Sequence, residues 1–181
     1  MKLLGISGSL RKGSFNSALL RAAVELAPAG IEFETHPIGE LPLYDEDVRS
    51  LGYPPPVASL RAAIARAEAL LFVSPEYNFS VPGVLKNAID WASRGADQPF
   101  AGKPVAIMSA SGGMLGGARM QYHLRQICVY LDMHPLNKPE VFVARAPEKF
   151  DAELRLIDET TKKAIVAQLE ALVRFRQALK T

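Results

Sequence analysis

Apolar residues follow two alternating rhythms along this chain. Short unbroken apolar runs near 2–7, 31–36, 69–74, 103–110 and 140–144 read as buried strands. Longer stretches with apolar residues three and four apart predict helices near 16–27, 56–67, 83–94, 116–131 and 151–179. Leu85, Ala88, Ile89 and Ala92 share one helical face. In the last stretch, Leu154, Ile157, Thr161, Ile165, Leu169, Leu172 and Phe175 form a core-facing stripe. Apolar strands alternating with helices predict a parallel sheet covered on both faces. Five strands fit the order 2-1-3-4-5, which sets the loop after the first strand beside the loop after the third. No repeat, low-complexity tract or composition break divides residues 1–181, so a single domain is expected.

Two loops at the predicted carboxyl ends of strands carry candidate chemistry, and ligands of open α/β sheets bind at such ends. The first is Gly8-Ser9-Leu10-Arg11-Lys12-Gly13-Ser14-Phe15-Asn16-Ser17. Its small residues let backbone amides converge, and the following helix start adds partial positive charge. Ser9, Ser14, Asn16 and Ser17 supply further donors, and Arg11 supplies a fixed cation. That composition predicts a phosphate cradle. The plain alternative is a β–α turn capped by Asn16 or Ser17. Gly8 and Gly13 have the spacing of a nucleotide-triphosphate loop, but Ser14 stands where its lysine belongs. Gly5-Ile6-Ser7-Gly8-Ser9 lacks the last glycine of a hydrolase elbow. A Gly-x-Gly-x-x-Gly is absent too, so one phosphate monoester fits better than a pyrophosphate. The second loop, Pro75-Glu76-Tyr77-Asn78-Phe79-Ser80-Val81-Pro82, is stiffened by its prolines and made polar by Asn78.

Together the loops resemble the NAD(P)H-dependent FMN reductase family of flavodoxin-like proteins, with the bacterial chromate and quinone reductases nearest. The matching motifs are Gly8 to Asn16, Leu41-Pro-Leu-Tyr-Asp45, Pro75-Glu-Tyr-Asn78 continuing to Trp91, and Gly116-Gly-Ala-Arg119 with Gln121-Tyr-His-Leu-Arg-Gln126. The likeness runs from the first strand to about Glu140. It implies a flavodoxin-like three-layer sandwich with FMN as cofactor and NAD(P)H as co-substrate. It also implies a quinone acceptor, with chromate, azo compounds or free flavin as wider possibilities. The implied cofactor residues are Ser9, Leu10, Arg11, Ser14, Phe15 and Asn16 at the phosphate, and Pro75, Glu76, Tyr77, Asn78 and Phe79 along the ribityl chain and ring. Glycines after the fourth strand would let Ser111, Gly112 and Gly113 approach the polar edge of the ring through their amides. Glu76 is expected to act structurally, through its backbone and a local hydrogen bond. Since a flavin carries the hard chemistry, no catalytic side chain is named. Some close relatives have tyrosine after the asparagine, where this chain has Phe79. Family members form dimers or tetramers, so self-association is implied, and Arg119 and Glu140 are candidates to pair across such a contact.

Composition narrows the alternatives. The net charge of +2 is mild and its cations are dispersed, which argues against nucleic-acid binding. It also argues against a flavodoxin-type electron carrier, which is typically strongly acidic to dock on basic partners. A redox-responsive binding protein without turnover stays open. No apolar run approaches the ~20 residues of a spanning helix, so no membrane insertion is expected. The chain enters a strand at once, with no signal segment in view. Cys128, the single cysteine, lies in an apolar helical stretch and reads as buried filler, consistent with the cytoplasm. His36, His123 and His134 lack metal-ligand spacing. The connection from Gly39 to Pro56 is read as extended, either a binding element or a connector.

Overall fold

A computed structural model describes residues 1–179. The apolar runs form the centre of a parallel sheet: β1 (Lys2–Ser7), β3 (Ala69–Val73) and β4 (Pro104–Ala110). β3 and β4 are buried at every position, as strands covered on both faces must be. β2 (Glu32–Thr35) pairs with β1 on the outer side, and the order runs β2-β1-β3-β4. The fifth position is shared by two short strands. β5 (His134–Pro135) pairs with Pro104 and Val105, and β6 (Val141–Val143) pairs with Met108 to Ala110. Pro135 and Pro139 have no amide to donate, so the ladder breaks between them and resumes at Val141. The order 2-1-3-4-5 thus holds, with its fifth strand split.

The helices are α1 (Phe15–Glu25), α2 (Glu46–Ser50), α3 (Pro55–Arg66), α4 (Gly83–Ala92), α5 (Ala118–Tyr130) and α6 (Glu159–Ala178). Alternation along the strands divides the core in two. Leu70 and Phe72 of β3 face α3, α4 and α5, packing with Leu60, Ile64, Leu85, Ile89 and Leu124. Leu71 and Val73 face α1 and α6, packing with Leu19, Ile165, Leu169 and Leu172. The result is a flavodoxin-like three-layer sandwich. No helix among the described residues is long and apolar enough to cross a membrane.

Two predicted segments differ. The final helix begins at Glu159, not at 151. Asp151 takes the amides of Glu153 and Arg155 on its carboxylate, and Leu154 sits at φ 60°. Phe150 and Leu156 then bridge as antiparallel partners, which leaves Ile157 exposed. This local bonding outcompetes the helix although the apolar spacing continues through it. The 39–56 connection is not wholly extended, because Asp45 caps the five-residue α2. It straps onto α4: the Pro42 carbonyl accepts Asn87 Nδ2 and Trp91 Nε1, each at 2.8 Å. The Tyr44 amide donates to Asn87 Oδ1 at 2.8 Å. Cys128 is fully buried, and burial pushes its thiol up to about 12.

Candidate functional site

The loops following β1, β3 and β4 meet above the carboxyl ends of those strands. They enclose a crevice of about 340 Å³. Ser9, Arg11, Ser14, Phe15 and Asn16 line it from the first loop, Pro75, Glu76 and Tyr77 from the second, and Ser111 and Gly112 from the third, with Ala110. Leu10, Asn78, Phe79 and Gly113 stand outside that lining. A groove of about 400 Å³ between α4 and α5 is larger, so size alone does not locate the site. The donors do.

In the first loop the helix cap is Ser14, rather than Asn16 or Ser17. Its Oγ accepts the amides of Asn16 and Ser17 at 3.2 and 3.3 Å. Ser17 is occupied elsewhere, with its hydroxyl 2.9 Å from that of Ser7. The Phe15 amide, at the first position of α1, has no partner among the described residues. Arg11 is exposed beside it. The Asn16 side chain is committed to the protein: Nδ2 donates to Ala110 O at 2.9 Å and Oδ1 accepts Ala110 N at 2.8 Å. It therefore joins the first loop to the third, and with its amide already given to Ser14 Oγ it shapes the crevice more than it offers donors to a ligand. Leu10 is half exposed and turns towards the strap, where a Cβ added at Gly39 would come within 3.3 Å of its Cδ2.

The second loop closes into a tight turn over Tyr77–Ser80, with Asn78 and Phe79 both at positive φ. Glu76 Oε2 accepts the Met120 amide at 3.1 Å, a bond that is not local but reaches the start of α5, 44 residues away. Arg119 lies 3.8 Å from Glu76 Oε1. Within one chain Arg119 does not meet Glu140, which instead pairs with Lys138 at 2.6 Å and accepts the Tyr122 hydroxyl at 2.8 Å.

The third loop is fixed from below. Gln121 Nε2 donates to Ser109 Oγ at 2.8 Å and to Val141 O at 2.9 Å, and Ser109 Oγ donates to Gly116 O at 2.5 Å. Gly116 and Gly117 have φ of 57° and 86°, and a Cβ on Gly117 would stand 2.7 Å from Ser109 Cβ. The Ser111 amide is spent on Val143 O at 3.0 Å. The amides of Gly112 and Gly113 take no partner among the described residues, and a Cβ at Gly112 would meet nothing within 4 Å. Ser109, Ala110, Gln121 and Arg119 escaped the sequence reading as site-shaping residues. Ala110 acts through its backbone and leaves no side-chain signal, and Gln121 is one of several polar residues of α5, so nothing in the sequence marked it as the buried one.

These residues fit FMN. A free helix-start amide, the Ser9 hydroxyl and Arg11 suit a phosphate. Two unpaired amides on an open glycine loop suit the polar edge of a flat ring.

Comparison with known proteins points to the same cofactor. The profile of the NADPH-dependent FMN reductase family matches residues 1–148. An NAD(P)H-dependent FMN reductase of Pseudomonas aeruginosa is 58% identical over 172 residues, covering 95% of this chain and 93% of that protein. A quinone reductase of Escherichia coli is 47% identical over 183 residues, covering 99% and 97%. Among solved structures, a flavoenzyme NAD(P)H:(acceptor) oxidoreductase of Paracoccus denitrificans superposes with a TM-score of 0.89 at 34% identity, covering 98% of this chain and 97% of that one. The match spans most of the chain and includes all three loops of the crevice, so this chain belongs to the NADPH-dependent FMN reductase family.

Proposed function

We propose that this chain is an FMN-dependent oxidoreductase that takes reducing equivalents from NAD(P)H and delivers them to a quinone. The observation that carries the reading is the convergence, in one crevice, of a phosphate-suited helix start and the unpaired Gly112 amide suited to a ring edge. FMN held there would supply the redox chemistry, as an acceptor of a hydride from the nicotinamide and a donor of two electrons to a quinone that takes up two protons. The protein's part is to bind and orient. The start of α1, with Ser9 and Arg11, anchors the phosphate, Glu76 and Tyr77 border the ribityl chain, and Gly112 and Gly113 meet the ring edge. Chromate, azo compounds and free flavin are secondary acceptors in this reading.

The test is the anaerobic visible spectrum of purified protein before and after NADPH is added. A bound-flavin spectrum that bleaches on NADPH and recovers with quinone supports the enzyme. A flavin spectrum that NADPH leaves unchanged moves the reading to an electron carrier, which the net charge of +2 disfavours. Self-association belongs to the same proposal, because Tyr122, Val129 and Tyr130 are large apolar side chains exposed on the outer side of α5.

A further inference from the structure

Asn78 at φ 51° and Phe79 at φ 61° are consecutive left-handed residues. Across them Tyr77 and Ser80 exchange both backbone hydrogen bonds, at 3.2 and 2.9 Å. This is a two-residue turn of type I′, which favours asparagine first and glycine second. Asparagine tolerates the left-handed region, but a phenylalanine there is strained. Burial does not hold Phe79, because 65% of it is exposed. Such strain persists only where the surroundings impose it.

The start of α5 supplies those surroundings. The Arg119 guanidinium lies 3.8 Å from the centroid of the Phe79 ring and 3.8 Å from Glu76 Oε1. The next amide, on Met120, donates to the other Glu76 oxygen at 3.1 Å. One turn on, His123 Nδ1 lies 2.8 Å from Ser80 Oγ. The helix therefore grips the turn on its flanks, at Glu76 and Ser80, and at its strained residue. Arg119 alone spans two of these points.

We propose that Arg119 is a positioning residue for the crevice: stacked on Phe79 and set beside Glu76, it holds the left-handed turn and thereby fixes the Glu76–Tyr77 backbone that borders the cofactor. This rests on the reading that the crevice holds FMN. Arg119 itself lies outside the crevice lining, so it acts through the turn. A planar guanidinium stacks on a ring as an ammonium cannot, so lysine is an incomplete substitute.

The test is a double-mutant cycle on wild type, Arg119→Ala, Phe79→Gly and the double variant. FMN affinity is read by titrating flavin fluorescence, and melting temperature is read on the flavin-free proteins. Glycine adopts the left-handed region without penalty and removes the stacking partner. Arg119→Ala is expected to weaken FMN binding by roughly five- to tenfold and lower the melting temperature when Phe79 is present. On the glycine background the same substitution is expected to change little. Arg119→Lys falls between wild type and alanine. An equal loss on both backgrounds overturns the proposal, as does no loss with Phe79 present. Should glycine loosen the fold, Phe79→Asn serves the same purpose, since asparagine also tolerates this region. If wild type takes up no FMN, the flavin reading fails by itself. The grip on the turn is then judged on melting alone, where the same coupling supports it and its absence overturns it.

Discussion

A single amide side chain ties the first loop to the third. Asn16 meets both the amide and the carbonyl of Ala110, as a neighbouring strand would, and both residues are buried. Asn16→Ala leaves a buried donor and a buried acceptor unpaired, at a cost of about 2–3 kcal/mol. Urea unfolding at neutral pH is expected to read that loss, and FMN titration a weaker affinity in the same variant. The sequence offered Asn16 as a further donor at a phosphate cradle, or as the cap of the following helix. It could not show that the partner is a backbone 94 residues away. Ser14 shows the same limit. The cap was expected at Asn16 or Ser17; their side chains pair with Ala110 and Ser7, and Ser14 takes the cap.

At the scale of elements, unbroken apolar runs were the most readable signal. β1 matches its predicted range, and β3 and β4 lie within one residue of theirs. The start of α6 was hidden, because Leu154 and Ile157 continue its apolar spacing without belonging to it. What sets the start is Asp158, whose carboxylate accepts the Thr161 amide at 2.8 Å and the Thr161 hydroxyl at 2.6 Å, and pairs with Lys149 at 2.7 Å. The Lys149 ammonium first, and then the Thr161 bonds, hold this carboxyl down from 3.8 to about 2. A carboxyl lowered on folding stabilises the native state above its ordinary value, and that contribution fades as pH falls towards the folded value. Asp158→Ala is therefore expected to cost about 1 kcal/mol at neutral pH. The gap between variant and wild type should close as melts are taken from about pH 4 down to about pH 2. A gap that stays constant through this range would refute the assignment. The split fifth strand was also unreadable in part: the run at 140–144 gave β6, but a two-residue strand such as β5 has no periodicity to detect.

At the scale of the whole molecule, each long helix buries one side against the sheet, and α5 carries exposed apolar side chains on its other side as well. Met120, Leu124 and Cys128 face the core, while Val129 and Tyr130 are 79% and 83% exposed. These two residues lie at the end of the helix that walls the groove against α4, and Tyr130 lines that groove. Light scattering at micromolar concentration is expected to give a mass above 19.7 kDa, and a Val129→Asp, Tyr130→Asp double variant is expected to return to it. A wild-type protein already at the monomer mass would defeat the expectation.

The Asn16 tie has a consequence for anyone rebuilding this fold. Because it reads main chain, it is indifferent to which side chain stands at position 110. A search for covarying pairs would find no partner for position 16, although few contacts matter more to the crevice. A chimera that imports the first loop from another protein must therefore bring the path of the host strand at 110 into register as well. The two segments, far apart in sequence, can be transplanted only as one part.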